Sequence, residues 1–412
     1  MSFKNWLLNE EYESLSAEVP MPDEVHILSK LFNNFGAKLY AVGGAIRDYL
    51  YHIFHQKHIP YNPKDVDLTT DQPPEQVVKI LSSPEALEHG IKVFAKGESF
   101  GVISAIINGK EFEIATFRTE YYDAITGDGR RPDSVTYSNA KEDAKRRDLH
   151  INALFYDLHN KEIKDYNTDN QGKGQGLLDI QNKKVRVVGD PFDRFKEDKL
   201  RILRLVRFFS RFNNDDIAGH LDARTSSAID NFKDLKGVSK ERIANEFLSG
   251  LKTCLDVHNY IKSFRSLGLL DVMFPGLKIN LDDNLNKTKD AIAIMAYIFR
   301  ENDPTVLRDV LNKLTYSNTI SDTVAFIIRV NFHLNSKNII RMLKLRDNLN
   351  KDLRVSFLEF GKVCDKVSKM WHFLDYKQKT KSDDYSHLTG RDISNKMGED
   401  EYKSYIDDPL KK

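Results

Sequence analysis

Residues 40–48 read Tyr-Ala-Val-Gly-Gly-Ala-Ile-Arg-Asp, and residues 65–68 read Asp-Val-Asp-Leu. The apolar run over 38–42 predicts a short strand that ends in Gly43 and Gly44 and passes into a helix over 45–54. A strand, a glycine turn and a helix start bring backbone N–H groups and the positive end of a helix dipole to one point. Glycines let a phosphate approach that point closely. Arg47, in the first turn of the helix, adds a forked donor. Taken alone, this stretch also reads as an ordinary tight turn with Arg47 and Asp48 as surface charges. It is not a Walker A loop, because no G-x-x-x-x-G-K-[ST] is present. The second stretch predicts a strand in which Asp65 and Asp67 point to one face. Two carboxylates so placed repel each other unless they are solvated or share a cation. Oxygen ligands of this kind suit Mg2+, which keeps waters and takes substrate phosphates.

Working outward, a helix is predicted over 24–35 and stopped by Gly36. Strands are predicted over 102–107 and 111–117 with an Asn108-Gly109 hairpin turn between them. Residues 119–138 lack periodicity and read as a loop. Strands are predicted again over 153–156 and 162–166. Beyond about residue 190, helical periodicity takes over. The pattern is α+β: a head that mixes sheet and helix, followed by an all-α remainder. The domains it suggests are an N-terminal arm over 1–23, a head over 24–165, a neck over 166–225, a helical body over 226–330 and a helical tail over 331–412.

Composition narrows the classes. The chain has 412 residues, 40% apolar and 30% charged, enough to bury a core. The longest apolar run, 291–299, is far short of the roughly 20 residues a spanning helix needs. The first 15 residues carry glutamates and no apolar core, so neither a signal nor a transit peptide is expected. Two cysteines, Cys254 and Cys364, give no disulfide framework and no metal-ligand spacing, which fits a reducing, cytoplasmic compartment. Net charge is +1, but residues 145–211 hold 16 Lys and Arg against 10 Asp and Glu. An anionic partner fits there, as does a solvated helical face.

Two basic segments sharpen this. In residues 145–154, Arg146 and Arg147 suit a triphosphate, and Asp148 or Asn152 suits a ribose hydroxyl; Asp148 also suits a helix N-cap. In residues 197–207, Asp198, Arg201, Arg204 and Arg207 recur every three positions, so neighbours lie within reach on a helix. A plain surface helix has this spacing too. The chemical alternative is base reading. A carboxylate accepts from an exocyclic amine while a guanidinium donates to a ring nitrogen. Cytosine and adenine present that pair; uracil and guanine present the reverse polarity and leave polar groups unmatched. His52, His55 and His58, in a stretch between Asp48 and Asp65, have helical spacing and read as surface residues of a helix extension, with a metal site as the alternative.

Read in order, YAVGGAIRD, DVDLTTD, EIATFRTE, GRRPDSVTY, KRRDLHINAL and EDKLRILRLVRFFSRF resemble the class II tRNA nucleotidyltransferase and poly(A) polymerase family. VSKERIANEF (238–247), SLGLLDVMFPGL (266–277) and LTGRDI (388–393) extend the resemblance sparsely. It implies a nucleotidyltransferase head, then helical neck, body and tail. It implies that Asp65 and Asp67 are catalytic and hold two Mg2+ ions, with Glu113 assisting. By the same resemblance, Gly43, Gly44, Arg47, Arg146, Arg147, Asp148 and Asn152 serve the triphosphate and ribose. Asp198 and Arg201 read the base, supported by Arg204 and Arg207. The substrates implied are CTP, ATP and tRNA, and no membrane is involved. The stretch AKGESFGVISAII (95–107) lacks the Gly-Arg-Arg-Phe-like segment usual in bacterial poly(A) polymerases, which favours CCA addition over an A-adding or poly(A)-forming activity. The loop over 119–135 is expected to matter for the change from C to A. No His-Asp phosphohydrolase motif is present. A catalytically inert RNA-binding protein is the reading from another class, and retention of both Asp65 and Asp67 argues against it.

Overall fold

A computed structural model describes residues 14–56, 61, 63, 65–94, 101–121, 134–332 and 353–364. It divides into two compact units, Met1–Leu205 and Val206–Lys412.

The first unit is built on one sheet. Its elements are β1 (Ser14–Ser16), α1 (Asp23–Asn34), β2 (Leu39–Val42), α2 (Gly44–His55), β3 (Asp67–Thr70), α3 (Pro74–Leu81), α4 (Pro84–Glu88), β4 (Lys92–Phe94), β5 (Val102–Ile107) and β6 (Lys110–Thr116). There follow β7 (Arg118–Tyr121), β8 (Ser134–Tyr137), α5 (Ala140–Lys145), a 3-10 turn at His150–Asn152, β9 (Leu154–Asp157), β10 (Glu162–Asp165), α6 (Gln175–Gln181) and α7 (Pro191–Glu197). Eight strands lie in the order β1-β10-β9-β2-β3-β6-β5-β4. Neighbours are antiparallel except β3 and β6. β2 sits mid-sheet, so all four of its residues are buried, as an unbroken apolar run requires. The β5–β6 turn puts Asn108 at φ 52° and Gly109 at φ 78°, the paired left-handed conformation of a two-residue hairpin.

One cluster fixes the site's floor. Tyr40, Val42, Phe117, Ala140, Ala144 and Phe155 are buried together, with Tyr166 against them. Phe155 meets Phe117 at 6.0 Å and Tyr166 at 5.5 Å between ring centres. Ala140 and Ala144 dock α5 on this cluster, which sets where the residues after α5 emerge.

Two predictions need correction. The loop expected over 119–138 contains a two-stranded ribbon, with Arg118 paired to Tyr137 and Tyr121 to Ser134. Arg-Thr-Glu-Tyr and Ser-Val-Thr-Tyr lack the apolar run that marks β2 and β9, although Val135, Thr136 and Tyr137 favour extended backbone. The strand expected around Asp65 begins at Asp67. The alternation still reaches back to Asp65: Asp65 and Asp67 are exposed, Val66 and Leu68 buried.

Helix α8 (Leu200–Phe212) carries the chain from one unit into the next. The second unit, over its described residues, is helical: a 3-10 turn at Ile217–His220, α9 (Ala223–Phe232), α10 (Lys240–Thr253), α11 (Val257–Ser266), α12 (Leu270–Met273), a 3-10 turn at Asp283–Lys287, α13 (Ala291–Ile298), α14 (Pro304–Lys313), α15 (Asn318–Phe332) and α16 (Leu353–Val363). Asp222, Ser239, Asp256, Asp290 and Asp303 each accept a backbone N–H at a helix start, satisfying donors the helix leaves over. The longest apolar run becomes α13, buried at seven of its eight positions. No helix of the described residues is long and apolar enough to cross a membrane. Phe247, Tyr260, Phe264, Phe274 and Phe299 form the aromatic centre, with ring centres 5.0–5.8 Å apart. Gly250 makes room for Tyr260, whose Oη would stand 2.0 Å from a Cβ added there.

Candidate active site

Asp67 is the first residue of β3 and lies opposite Val42, the last of β2. The glycine turn therefore starts beside the carboxylate. On the other side of β3, the parallel register pairs Leu68 with Ile114, which sets Glu113 of β6 next to Asp67. Asp65, Asp67 and Glu113 line one open cleft of about 910 Å³, with Pro20, Pro22, Pro63 and Lys110. Lost hydration beside the sheet pushes the Asp67 carboxyl above its ordinary value; Arg147 and Arg47 oppose that push, and the Asp65 charge adds to it. Two like charges held together at a cleft fit a hard divalent cation. Among the described residues, no three His, Cys, Asp or Glu side chains come together to hold a metal ion. A carboxylate pair that leaves coordination to water and phosphate matches Mg2+.

Gly43 sits at φ 72°, ψ −118°, a conformation open to glycine. Behind the turn, positive and negative groups alternate. Arg47 is buried and donates from Nε to Asp48 Oδ1 at 2.9 Å and from Nη1 to Asn152 Oδ1 at 2.7 Å. Asn152 Nδ2 donates to Asp148 Oδ1 at 3.2 Å, and Arg204 Nε donates to Asp148 Oδ2 at 2.5 Å. Both ends of the Asn152 amide are thus engaged within the chain. Burial alone would raise the Asp148 carboxyl, but Arg204, Asn152 and the Leu149 N–H outweigh it and hold it below the ordinary range. Asp148 caps no helix: the residues after it form the 3-10 turn whose start is Leu149. Arg147 lies 5.0 Å over the Phe155 ring, with Nη1 facing the Gly43 turn.

Helix α8 begins at the predicted base-reading residues. Asp198 accepts the Leu200 N–H at 3.0 Å and so helps start the helix. Arg201 is buried; it donates to Glu197 Oε2 at 2.6 Å and to the carbonyls of Arg194 and Arg146 at 3.3 and 3.2 Å. Arg204 reaches Asp148, as above. Arg207, in the second unit, pairs with Glu246 and lies 4.2 Å over the Phe208 ring.

Three carboxylates that orient these arginines escaped the sequence reading: Asp143, Glu197 and Glu246. Asp143 precedes Arg146 and Arg147 by three and four residues, a spacing that signals an ion pair on a helix. Glu197 precedes Arg201 by four. Glu246 is remote from Arg207 and carried no local signal. His55 Nε2 lies 2.8 Å from the Ile180 carbonyl, and His52 stacks on Tyr61, so both are used in packing. His58, residues 122–133 and 388–393, and the basic residues Lys337, Arg341, Lys344 and Arg346, whose spacing fits either tRNA phosphates or a solvated helix face, lie outside the described residues.

The glycine turn at the start of α2, the arginines and carboxylates behind it and the Asp65–Asp67 pair at the adjoining strand end thus lie together in the first unit. Residues 39–186 match the model of the poly A polymerase head domain. The CCA-adding enzyme of Lactobacillus helveticus is 39% identical over 215 residues; that match covers 52% of this chain and 46% of the enzyme, about half its length. The mitochondrial CCA tRNA nucleotidyltransferase 1 of Homo sapiens is 30% identical over 387 residues, 91% of this chain and 80% of that protein. The chain belongs to the family of CCA-adding tRNA nucleotidyltransferases and poly(A) polymerases. The crystal structure of the Bacillus stearothermophilus CCA-adding enzyme in complex with CTP shares the fold, with a TM-score of 0.60 at 22% identity over 93% of this chain and 90% of that one.

Proposed function

We propose that the protein adds C, C and A to the 3′ end of tRNA, drawing on CTP and ATP and releasing pyrophosphate, in the cytoplasm. The observation that carries this reading is the Asp65–Asp67 pair at the strand end beside the Gly43 turn, with Arg147 close by. Asp65 and Asp67, helped by Glu113, would hold two Mg2+ ions, which when bound lower the pKa of the RNA 3′-OH and steady the leaving pyrophosphate. Gly43 and Gly44 let the triphosphate come close to the backbone. Arg147, with Arg146, supplies the cation that faces it. Arg47 and Asn152, committed to each other and to Asp48 and Asp148, hold the turn and the Asp148 carboxylate in place. Asp148 takes the ribose through the acceptor capacity that Arg204 and Asn152 leave.

Selection falls to the start of α8. Asp198 accepts from the exocyclic amine of cytosine or adenine, and Arg201, fixed by Glu197, donates to the adjacent ring nitrogen. Arg204 and Arg207 stiffen the helix on either side. The head spans 24–165 in this reading, the neck 166–225, the body 226–330 and the tRNA-holding tail 331–412.

The test is incorporation of labelled CTP and ATP, with UTP and GTP as controls. The acceptors are tRNA lacking the whole CCA end, lacking its last two residues, and lacking the final A. CTP use on the first two, ATP use on the third, and then a stop support CCA addition. ATP use alone makes the protein an A-adding enzyme, and unlimited ATP use a poly(A) polymerase. No incorporation with tRNA still bound leaves an inert RNA-binding protein.

A further inference from the structure

Asp143 lies in none of the quoted motifs' assigned roles, yet its carboxylate is fully buried and surrounded by donors. Its Oδ2 accepts from Arg147 Nε at 3.2 Å and Nη2 at 3.0 Å. Its Oδ1 accepts from Arg146 Nε at 2.8 Å and from the backbone N–H of Arg118, the first residue of β7, at 3.2 Å. We infer that Asp143 is a positioning residue for the incoming nucleotide: by taking Nε and Nη2 of Arg147, it turns Nη1 onto the glycine turn where the triphosphate binds. This rests on the nucleotide-adding reading given above.

The geometry is specific. A guanidinium is a rigid planar fork, so fixing two of its nitrogens fixes the direction of the third. Nη1 stands 3.8 Å from the place a Cβ on Gly43 would occupy. The Phe155 ring lies 5.0 Å from the centre of the Arg147 fork and supports it from one side. The Arg147 charge also bears on Asp67, so the same guanidinium addresses both the turn and the carboxylate pair. Through Arg146, whose carbonyl accepts from Arg201 Nη2 at 3.2 Å, the anchor further connects to the base-reading helix start. Asp143 is a shared post for three things: the phosphate-facing arginine, the foot of the β7–β8 ribbon and the segment that supports Arg201.

The test compares wild type, Asp143→Asn, Arg147→Ala and the double variant. It measures CTP affinity in the presence of Mg2+, KM and kcat on tRNA lacking CCA, tRNA affinity, the melting temperature and exchange of the Arg147 Nε–H by NMR. Asn keeps one acceptor and most of the shape but loses the charge-assisted grip. Asp143→Asn should raise Kd and KM for CTP about 10- to 100-fold, with tRNA affinity unchanged and the Nε–H losing protection. The double variant should bind CTP no more weakly than Arg147→Ala alone. Multiplying effects in the double variant, or a loss of kcat and of both substrates' affinities in step with the melting temperature, would overturn the proposal. Wild type that protects the Arg147 Nε–H but binds no CTP would overturn the nucleotide reading and leave only the anchoring.

Discussion

Asp148 and Asp67 lie in the same head but are handled in opposite ways. Asp148 is surrounded by Arg204, Asn152 and a backbone N–H, and its carboxyl is held below the ordinary range. Asp143 is treated alike by Arg146 and Arg147. Asp67 stands beside another carboxylate and at the edge of a cleft, and its carboxyl is pushed up. Pairs satisfied within the chain build the frame. The like-charged pair facing the cleft is, in the proposed function, completed by Mg2+. In the proposed function the first group holds the site in place, with Asp148 also meeting the ribose, and the second takes the metal.

The contrast breaks most visibly at Asp67. Asp67→Asn should cut nucleotide incorporation by about a thousandfold or more while leaving the melting temperature unchanged or raised, because repulsion from Asp65 is relieved. A fall in melting temperature that tracked the lost activity would place Asp67 in the frame instead. Asp148→Ala should do the reverse in stability. It removes the largely buried carboxylate to which Arg204, Asn152 and the Leu149 N–H donate, and should cost about 3–5 kcal/mol in urea unfolding.

Asp165 tests a case between the two. It is buried and accepts N–H groups from Asn167, Gly176 and Leu177, with no arginine among the described residues bonded to it. Burial pushes its carboxyl up to about 6, from 3.8. The folded chain therefore binds this proton more tightly than the unfolded chain does. The resulting stabilisation is complete below the unfolded value and is lost as pH rises towards 6. Unfolding free energy of wild type minus that of Asp165→Asn should fall by about 3 kcal/mol between pH 3 and pH 7. A flat difference would show that the three N–H donors cancel the burial. The smallest effect belongs to His55. His55→Ala removes one hydrogen bond to Ile180 and should cost about 1 kcal/mol, with Mg2+-dependent incorporation unchanged.

Much of this was legible in the sequence because it is local. The glycine turn, the Asp65–Asp67 alternation and the Asn108-Gly109 hairpin each declare themselves within a few residues. The arginines after α5 and at the start of α8 were visible as donors. What they hold was not, since Arg204 meets Asp148 and Arg207 meets Glu246 across 56 and 39 residues of chain. Glu113 comes beside Asp67 only through strand register, which no local pattern reveals. The β7–β8 ribbon is not legible because its two strands are mostly polar and carry no apolar run. Asn152 suited a ribose by residue type; that its amide also meets Arg47 and Asp148 shows only in the fold.

The claim that the cleft carboxylates, and not the paired ones, take the metal can be read directly from Mn2+ binding in the presence of CTP, followed by electron paramagnetic resonance. Wild type and Asp165→Asn should bind Mn2+, and Asp65→Asn and Asp67→Asn should each lose it. Mn2+ retained at wild-type affinity in both Asp65→Asn and Asp67→Asn would contradict the account.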